Sequence, residues 1–295
     1  MTANKKTVRP PCTRRLTKEH RDEHGASQLP AFGVLTLGFA LACVGMAFPW
    51  PEWRQMWLFC AALFFAAKAV VLPDHSVLAF TLFWPGLDAQ AFNRGVKAHR
   101  RLVLSGMFNF GIGLALIFIA ARRVPSSFAG TWVAMIGFVL ALHCGVFTLL
   151  AAWWRSLGRD VAPLMEAPLL AGSVTEFWGR RWNNAFRDVA HAILFKPVTR
   201  RFGAVAGMWA VFIASGVAHE LVISVPARAG FGGPTLYFAL QAFAMSLERG
   251  CPIKSTLFWR LRALAILLAP LPLLFHTPFV MNVCHPFFQA IGALP

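Results

Sequence analysis

Acidic residues are scarce in this chain. Only 12 Asp and Glu stand against 28 Lys and Arg in 295 residues, and charged side chains make up 14% of the whole. A soluble domain covers its surface with roughly 25% charged residues, so water cannot be the only solvent for this exterior. Closely spaced cysteines are missing too. The six thiols, Cys12, Cys43, Cys60, Cys144, Cys251 and Cys284, include no CxxC pair and lie mostly in apolar runs. That spacing argues against a disulfide framework or a zinc site and leaves buried free thiols that act as small hydrophobes. There is no obvious internal repeat of the transporter kind.

What the chain has is apolar surface. Hydrophobic residues are 57% of it, with 28 Phe and 11 Trp, and the mean hydropathy is +0.58. A membrane span takes about 20 apolar residues. Residues 30–49, 53–72, 102–121, 131–154, 203–225, 235–248 and 257–275 read as spans, the sixth short. Stretches 76–87 and 278–294 are re-entrant, interfacial or further spans. The expected fold is therefore all-α: a polytopic helical membrane protein of about seven transmembrane helices plus interfacial helices. Residues 1–29 form a polar basic tail, expected to be disordered, and 30–295 a single multi-pass domain.

The formal charge of +16 lies in clusters between apolar segments, where cytoplasmic loops carry Lys and Arg. No nucleic-acid-binding motif accompanies it. Loops 88–101, 155–202 and 249–256 are basic, like the tail, which places the N-terminus in the cytoplasm, at a bacterial inner membrane or endoplasmic reticulum. Arg122 and Arg123 are the exception. Lys68 is expected to snorkel to the interface near Pro73. In the tail, His20-Arg21-Asp22-Glu23-His24 fits the H-x-x-E-H metalloprotease pattern, but that pattern needs a helix inside a folded catalytic domain. Here Gly25 and polar residues surround it.

Residues 155–202 are the only long connection. Ser173-Val174-Thr175-Glu176 has capping-box spacing, so a helix is expected to start at Ser173. It continues as Phe177-Trp178-Gly179-Arg180-Arg181-Trp182-Asn183-Asn184, with Trp178, Arg181 and Trp182 on one helical face. A second amphipathic stretch, 185–198, leads to Arg200 and Arg201. One reading is an interfacial anchor, with Asn183 or Asn184 capping the next helix. The following span contains Ser215-Gly216-Val217-Ala218-His219-Glu220-Leu221. Two adjacent ionisable residues inside a span are costly and mark function by default, the alternative being a histidine bonded between helices. Ser215 and His219 share a face, which permits a Ser–His pair, although a mid-helix Ser more often bonds back to a carbonyl. His143 and Gln241 read as core hydrogen-bonding groups.

These two segments, in this order and about 36 residues apart, resemble the wax-synthase branch of the membrane-bound O-acyltransferase family. The match covers roughly residues 165–250, and Trp84-Pro85-Gly86-Leu87-Asp88 looks like a weaker signature of the same branch. The resemblance implies a helical tunnel fold, with His219 catalytic and Asn183 its polar partner. It also implies transfer of a fatty acyl group from acyl-CoA to an alcohol hydroxyl. A sterol, diacylglycerol, glycan or metabolite hydroxyl is the nearest alternative acceptor. From another class, a proton-coupled transporter would use His219–Glu220 as a relay.

The chemistry fits these residue types. A neutral His can take the proton of an alcohol that is not acidic itself. The leaving thiol, with a pKa of about 8.5, needs little acid help. An amide N–H on Asn183 can bond the developing oxyanion. Arg180, Arg181, Arg187, Lys196, Arg200 and Arg201 are candidate contacts for CoA phosphates, and Trp178, Trp182, Ser215 and Glu220 join them as candidate substrate contacts. No metal or resident cofactor is called for. Acyl-CoA is a co-substrate, and the partners are a lipidic acceptor and the bilayer.

Overall fold

Inside a bilayer the backbone has no water to bond, so its polar groups must pair within helices. The computed structural model describes residues 49–71, 78–88, 92, 100–249 and 256–295, and its regular elements among these are all helical. The N-terminal tail with its H-x-x-E-H match, the expected span 30–49 and most of loops 88–101 and 249–256 lie outside the described residues.

Helix α1 (Glu52–Val71) precedes the short α2 (Leu78–Phe83). Helices α3 (Arg101–Arg123) and α4 (Ser127–Ser156) form a close antiparallel pair. They meet at glycines: a Cβ on Gly113 would stand 2.5 Å from the Ala141 backbone nitrogen. This is how helices approach without a hydrophobic drive between them in lipid. The motif helix α5 (Val174–Glu176) widens into a π-turn over Phe177–Arg181. Then come α6 (Asn184–Ala227), α7 (Gly233–Glu248) and α8 (Leu257–Leu274). Short segments lead into α9 (His285–Ala290).

Among the described residues four helices, α3, α4, α6 and α8, are long and apolar enough to cross a membrane. The 20-residue α1 is interrupted by Arg54, Gln55 and Lys68, and α7 is 16 residues long, short of a full span. The stretch expected at 76–87 yields only the six residues of α2, followed by extended chain at Trp84-Pro85-Gly86-Leu87-Asp88.

Lys68 departs from expectation. It does not snorkel: it is 1% exposed, and its ammonium donates to the carbonyls of Phe80 and Gly86 over the face of the Phe80 ring. The chain following α1 brings those carbonyls to it, so the charge is satisfied inside and serves to fix the Trp84–Asp88 segment. Trp84 and Leu87 then pack with Phe92, Trp154, Leu164 and Val189 in a second core beside the motif loop.

The C-terminal stretch is not a lipid-facing strip either. Val280, Val283, Cys284, Phe288 and Leu294 are buried, most of them in the main core. Arg122 donates to the carbonyls of Gly292 and Ala293, the unpaired carbonyl end where a helix favours a cation. The exception in the loop charges thus has a structural use.

The 44 residues of α6 are not straight. Gly203 has φ 85° and ψ 165°, a region essentially restricted to glycine. Beyond it the chain doubles back, so that a Cβ on Gly207 would lie 2.9 Å from the Phe195 carbonyl. A straight helix would hold those residues several turns apart. The break falls where the sequence separates the amphipathic 185–198 stretch from the span beginning at 203. Gly203→Ala should therefore cost about 1–3 kcal/mol of backbone strain, visible as a lowered unfolding midpoint in detergent. An unchanged midpoint would mean that the reversal does not depend on glycine.

Candidate active site

Ser173 caps α5 as its spacing predicts, its hydroxyl accepting from the Glu176 N–H at 2.9 Å. The Glu176 carboxylate reaches the Gly172 N–H at 2.8 Å and pairs with Arg181 at 2.6 Å. Burial works to raise the Glu176 pKa, but the Gly172 N–H and Arg181 outweigh it and hold it below the ordinary carboxylate value. Arg181 also donates to the carbonyls of Glu166 and Ala167. Arg187 is engaged in the same way, with Asp188, the Gly179 carbonyl and Asn184. Of the six cations considered for phosphate binding, these two are structural braces. Arg180, Lys196, Arg200 and Arg201 are exposed.

Asn183 has φ 46° and ψ 59°, and its side-chain oxygen accepts from the Phe186 N–H at 3.3 Å. It therefore caps α6, a role Asn fills readily in left-handed geometry. No bond among the described residues uses its amide N–H groups. Trp182 stacks between Phe177, 5.5 Å away, and His143, 6.0 Å away, which ties α4 to the motif.

His219 sits far along α6, half-buried. Its Nδ1 lies 2.7 Å from the Ser215 backbone carbonyl. A carbonyl oxygen only accepts, so Nδ1 carries the proton and the lone pair of the neutral ring is on Nε2. The Ser215 hydroxyl bonds back to the Val211 carbonyl at 2.9 Å, so the possible Ser–His pair is not formed. Gly216, one residue on, lets α7 approach: a Cβ there would be 2.7 Å from Thr235 Cα.

Glu220 uses one carboxylate oxygen to accept from the Gly232 and Thr235 N–H groups and the Thr235 hydroxyl, at 2.9–3.1 Å. It thereby caps the N-terminus of α7, where an anion is favoured. An open groove of about 490 Å³ runs beside it, lined by Phe231, Thr235, Leu236 and Ala239. His219 is not part of that lining.

Helix α7 joins the two motifs. Its Phe238 ring lies 4.5 Å from the His219 ring and 5.6 Å from Trp178. At its other end Glu248 accepts from the Val174 and Thr175 N–H groups and the Thr175 hydroxyl, capping α5, and pairs with Arg262 of α8 at 2.9 Å. Sequence reasoning missed Phe238 and Glu248. An acidic residue in an apolar segment was the available signal for Glu248, but its partners lie 74 residues away.

With this geometry in hand, residues 161–240 match the membrane bound O-acyl transferase family. That similarity covers the segment bearing both motifs. An Arabidopsis thaliana protein named probable long-chain-alcohol O-fatty-acyltransferase 7 is 33% identical over 121 residues, 35% of this chain and 36% of that protein. The same plant's probable long-chain-alcohol O-fatty-acyltransferase 6 is 32% identical over 113 residues, 36% of this chain and 32% of its own length. The long-chain-alcohol O-fatty-acyltransferase of Simmondsia chinensis is 34% identical over 82 residues, 25% of this chain and 23% of that protein. The chain thus spans about a third or less of the length of these relatives. The matched segment holds Trp178, Asn183 and His219 but stops short of Glu248.

The braces and the exposed cations should separate by mutation. Arg181→Gln should reduce the yield of folded protein extracted in detergent, whereas Arg180→Gln should leave it unchanged. Glu248→Ala, which leaves two N–H groups of α5 and Arg262 without their acceptor, should cost on the order of 3 kcal/mol. Its unfolding midpoint should fall correspondingly; wild-type stability in Glu248→Ala would remove the cap from this account.

Proposed function

We propose that the protein is an O-acyltransferase that moves a fatty acyl group from acyl-CoA to an alcohol hydroxyl, with His219 as general base. The observation that carries this reading is the tautomer. With Nδ1–H held by the Ser215 carbonyl, Nε2 is the basic atom, and no described group occupies it. The hydroxyl proton passes to Nε2 as the oxygen attacks the thioester carbonyl. The tetrahedral intermediate collapses with cleavage of the C–S bond, and the CoA thiolate recovers the proton from His219. Asn183 has an amide N–H to spare for the oxyanion. Arg180, Lys196, Arg200 and Arg201 are the exposed cations for CoA phosphates.

The choice of a long-chain alcohol as acceptor rests on the names of the relatives. The transporter alternative is weakened by Glu220, whose bonds to Gly232 and Thr235 commit it to a structural cap and not to a relay. For topology, α1, α7 and the apolar run at 30–49 join the four long helices to make about seven spans, with the N-terminus and the motif loop in the cytoplasm.

His219→Ala should lower ester formation by about 10²–10⁴-fold at normal protein level, and Ser215→Ala should be far milder. Retained turnover in His219→Ala would end the general-base assignment. For Asn183, replacement by Gly keeps the left-handed backbone accessible and removes only the side chain. Measured per folded molecule, kcat should fall with little change in KM for acyl-CoA, whereas an unaltered kcat would leave Asn183 as a cap alone. Exposed Arg180, replaced by Cys in a cysteine-free background, should react with an impermeant thiol reagent only after cells are opened. Labelling in intact cells would reverse the orientation.

A further inference from the structure

The buried polar atoms near the two motifs without a partner among the described residues include one carboxylate oxygen of Glu220, His276 Nε2 and the indole nitrogen of Trp178. Glu220 is already held through its other oxygen. The Nδ1 of His276 accepts from the Phe279 N–H at 3.2 Å as a helix cap. Trp178 differs from both. Its only polar atom is a donor, an indole N–H cannot accept, and its surroundings offer it no acceptor.

Those surroundings are defined. The Trp178 ring lies 5.0 Å from Phe177, 5.7 Å from Phe212 and 5.6 Å from Phe238. Phe212 and His219 are two turns apart on α6 and share a face. Phe238 touches the His219 ring as well, at 4.5 Å. The indole is therefore beside the catalytic face of α6, separated from the imidazole by a single ring, in an aromatic wall without a competing acceptor. Buried polar groups in proteins are almost always bonded, and one that is not needs a reason. Trp182 contrasts with it in packing: that ring is clamped between Phe177 and His143.

Building on the acyl-transfer reading above, we infer that Trp178 is a further catalytic residue, its indole N–H donating to the acyl thioester carbonyl oxygen and to the oxyanion formed there. The oxygen to be bonded accepts only, which suits a donor-only group. In the acyl-transfer step it lies one attacking hydroxyl away from the Nε2 that takes the proton, and Phe238 borders both rings. Negative charge on that oxygen grows as the hydroxyl adds and vanishes as the C–S bond breaks. A fixed donor in an apolar wall is worth most at that moment and needs no rearrangement to act. Trp178 gains and loses no proton; it shares the oxyanion with Asn183.

Trp178→Phe keeps an aromatic ring between Phe212 and Phe238 and removes the N–H. It should lower kcat by about 10²-fold, the usual effect of losing one oxyanion donor, with KM for acyl-CoA and the detergent unfolding midpoint little changed. A second measurement reads the bond itself. With carbonyl-labelled acyl-CoA bound to the full chain and no alcohol present, the C=O stretch should fall below its value in solution. It should return toward that value in Trp178→Phe and stay low in His219→Ala. Wild-type kcat in Trp178→Phe overturns the inference. So does a loss of kcat with the stretch unmoved, which would make Trp178 a packing residue. A raised KM for the alcohol with the stretch unmoved would assign the N–H to the acceptor hydroxyl and overturn it equally. The acyl-transfer reading fails on a different result, His219→Ala as active as wild type.

Discussion

A helix is held most firmly when the N–H groups of its first turn point at a fixed anion, and in this protein two carboxylates supply that constraint in series. Glu220, next to His219, receives the first N–H groups of α7. Glu248, at the far end of α7, receives those of the motif helix α5. The His219 segment thus fixes α7, and α7 fixes the helix bearing Trp178. Phe238 lies on this strut between its two anchors and touches both rings. Loosening either cap would free one motif to shift relative to the other.

Membrane proteins usually keep ionised side chains out of spans because their desolvation is costly. Here the cost is met locally, each buried charge being surrounded by backbone groups. Lys68 takes two carbonyls, and Glu248 two N–H groups with a hydroxyl and an arginine; Arg122, which is exposed, also takes two carbonyls. In each case the charge fixes an irregular stretch of chain. Regular helix carries the chain through lipid, and charges hold the places where it must turn.

Local signals were legible in the sequence. Ser173 with Glu176 three residues on, the boundary between the 185–198 stretch and the span from 203, and a histidine in an apolar run can all be read from neighbours within a few turns. The paired motifs identified the segment that matches the family. Contacts between distant residues were not legible. Arg181 and Arg187 have the composition of a phosphate site, yet the carbonyls they bind come from a loop whose path no periodicity describes. Lys68 looked like an interfacial residue because its partners, the carbonyls of Phe80 and Gly86, lie 12 and 18 residues further on. Arg122 was an anomaly of loop charge until the C-terminus came to rest against it. Asn183 fills its capping role, one end of its amide accepting from Phe186, and the other end has no bond among the described residues.

The Glu248 cap also bears on the order in which the site comes into being as the chain is made. Glu220 meets Thr235 across 15 residues, a contact that can close almost as soon as both leave the ribosome. The motif helix waits for a carboxylate synthesised 74 residues after it. Until then Ser173 is its only side-chain cap, and Trp178 has no Phe238 to lie against. The cap on the histidine side can therefore close before the cap on the motif helix. The segment 161–240 shared with the family ends before Glu248, so its own sequence does not carry all the instructions for its shape.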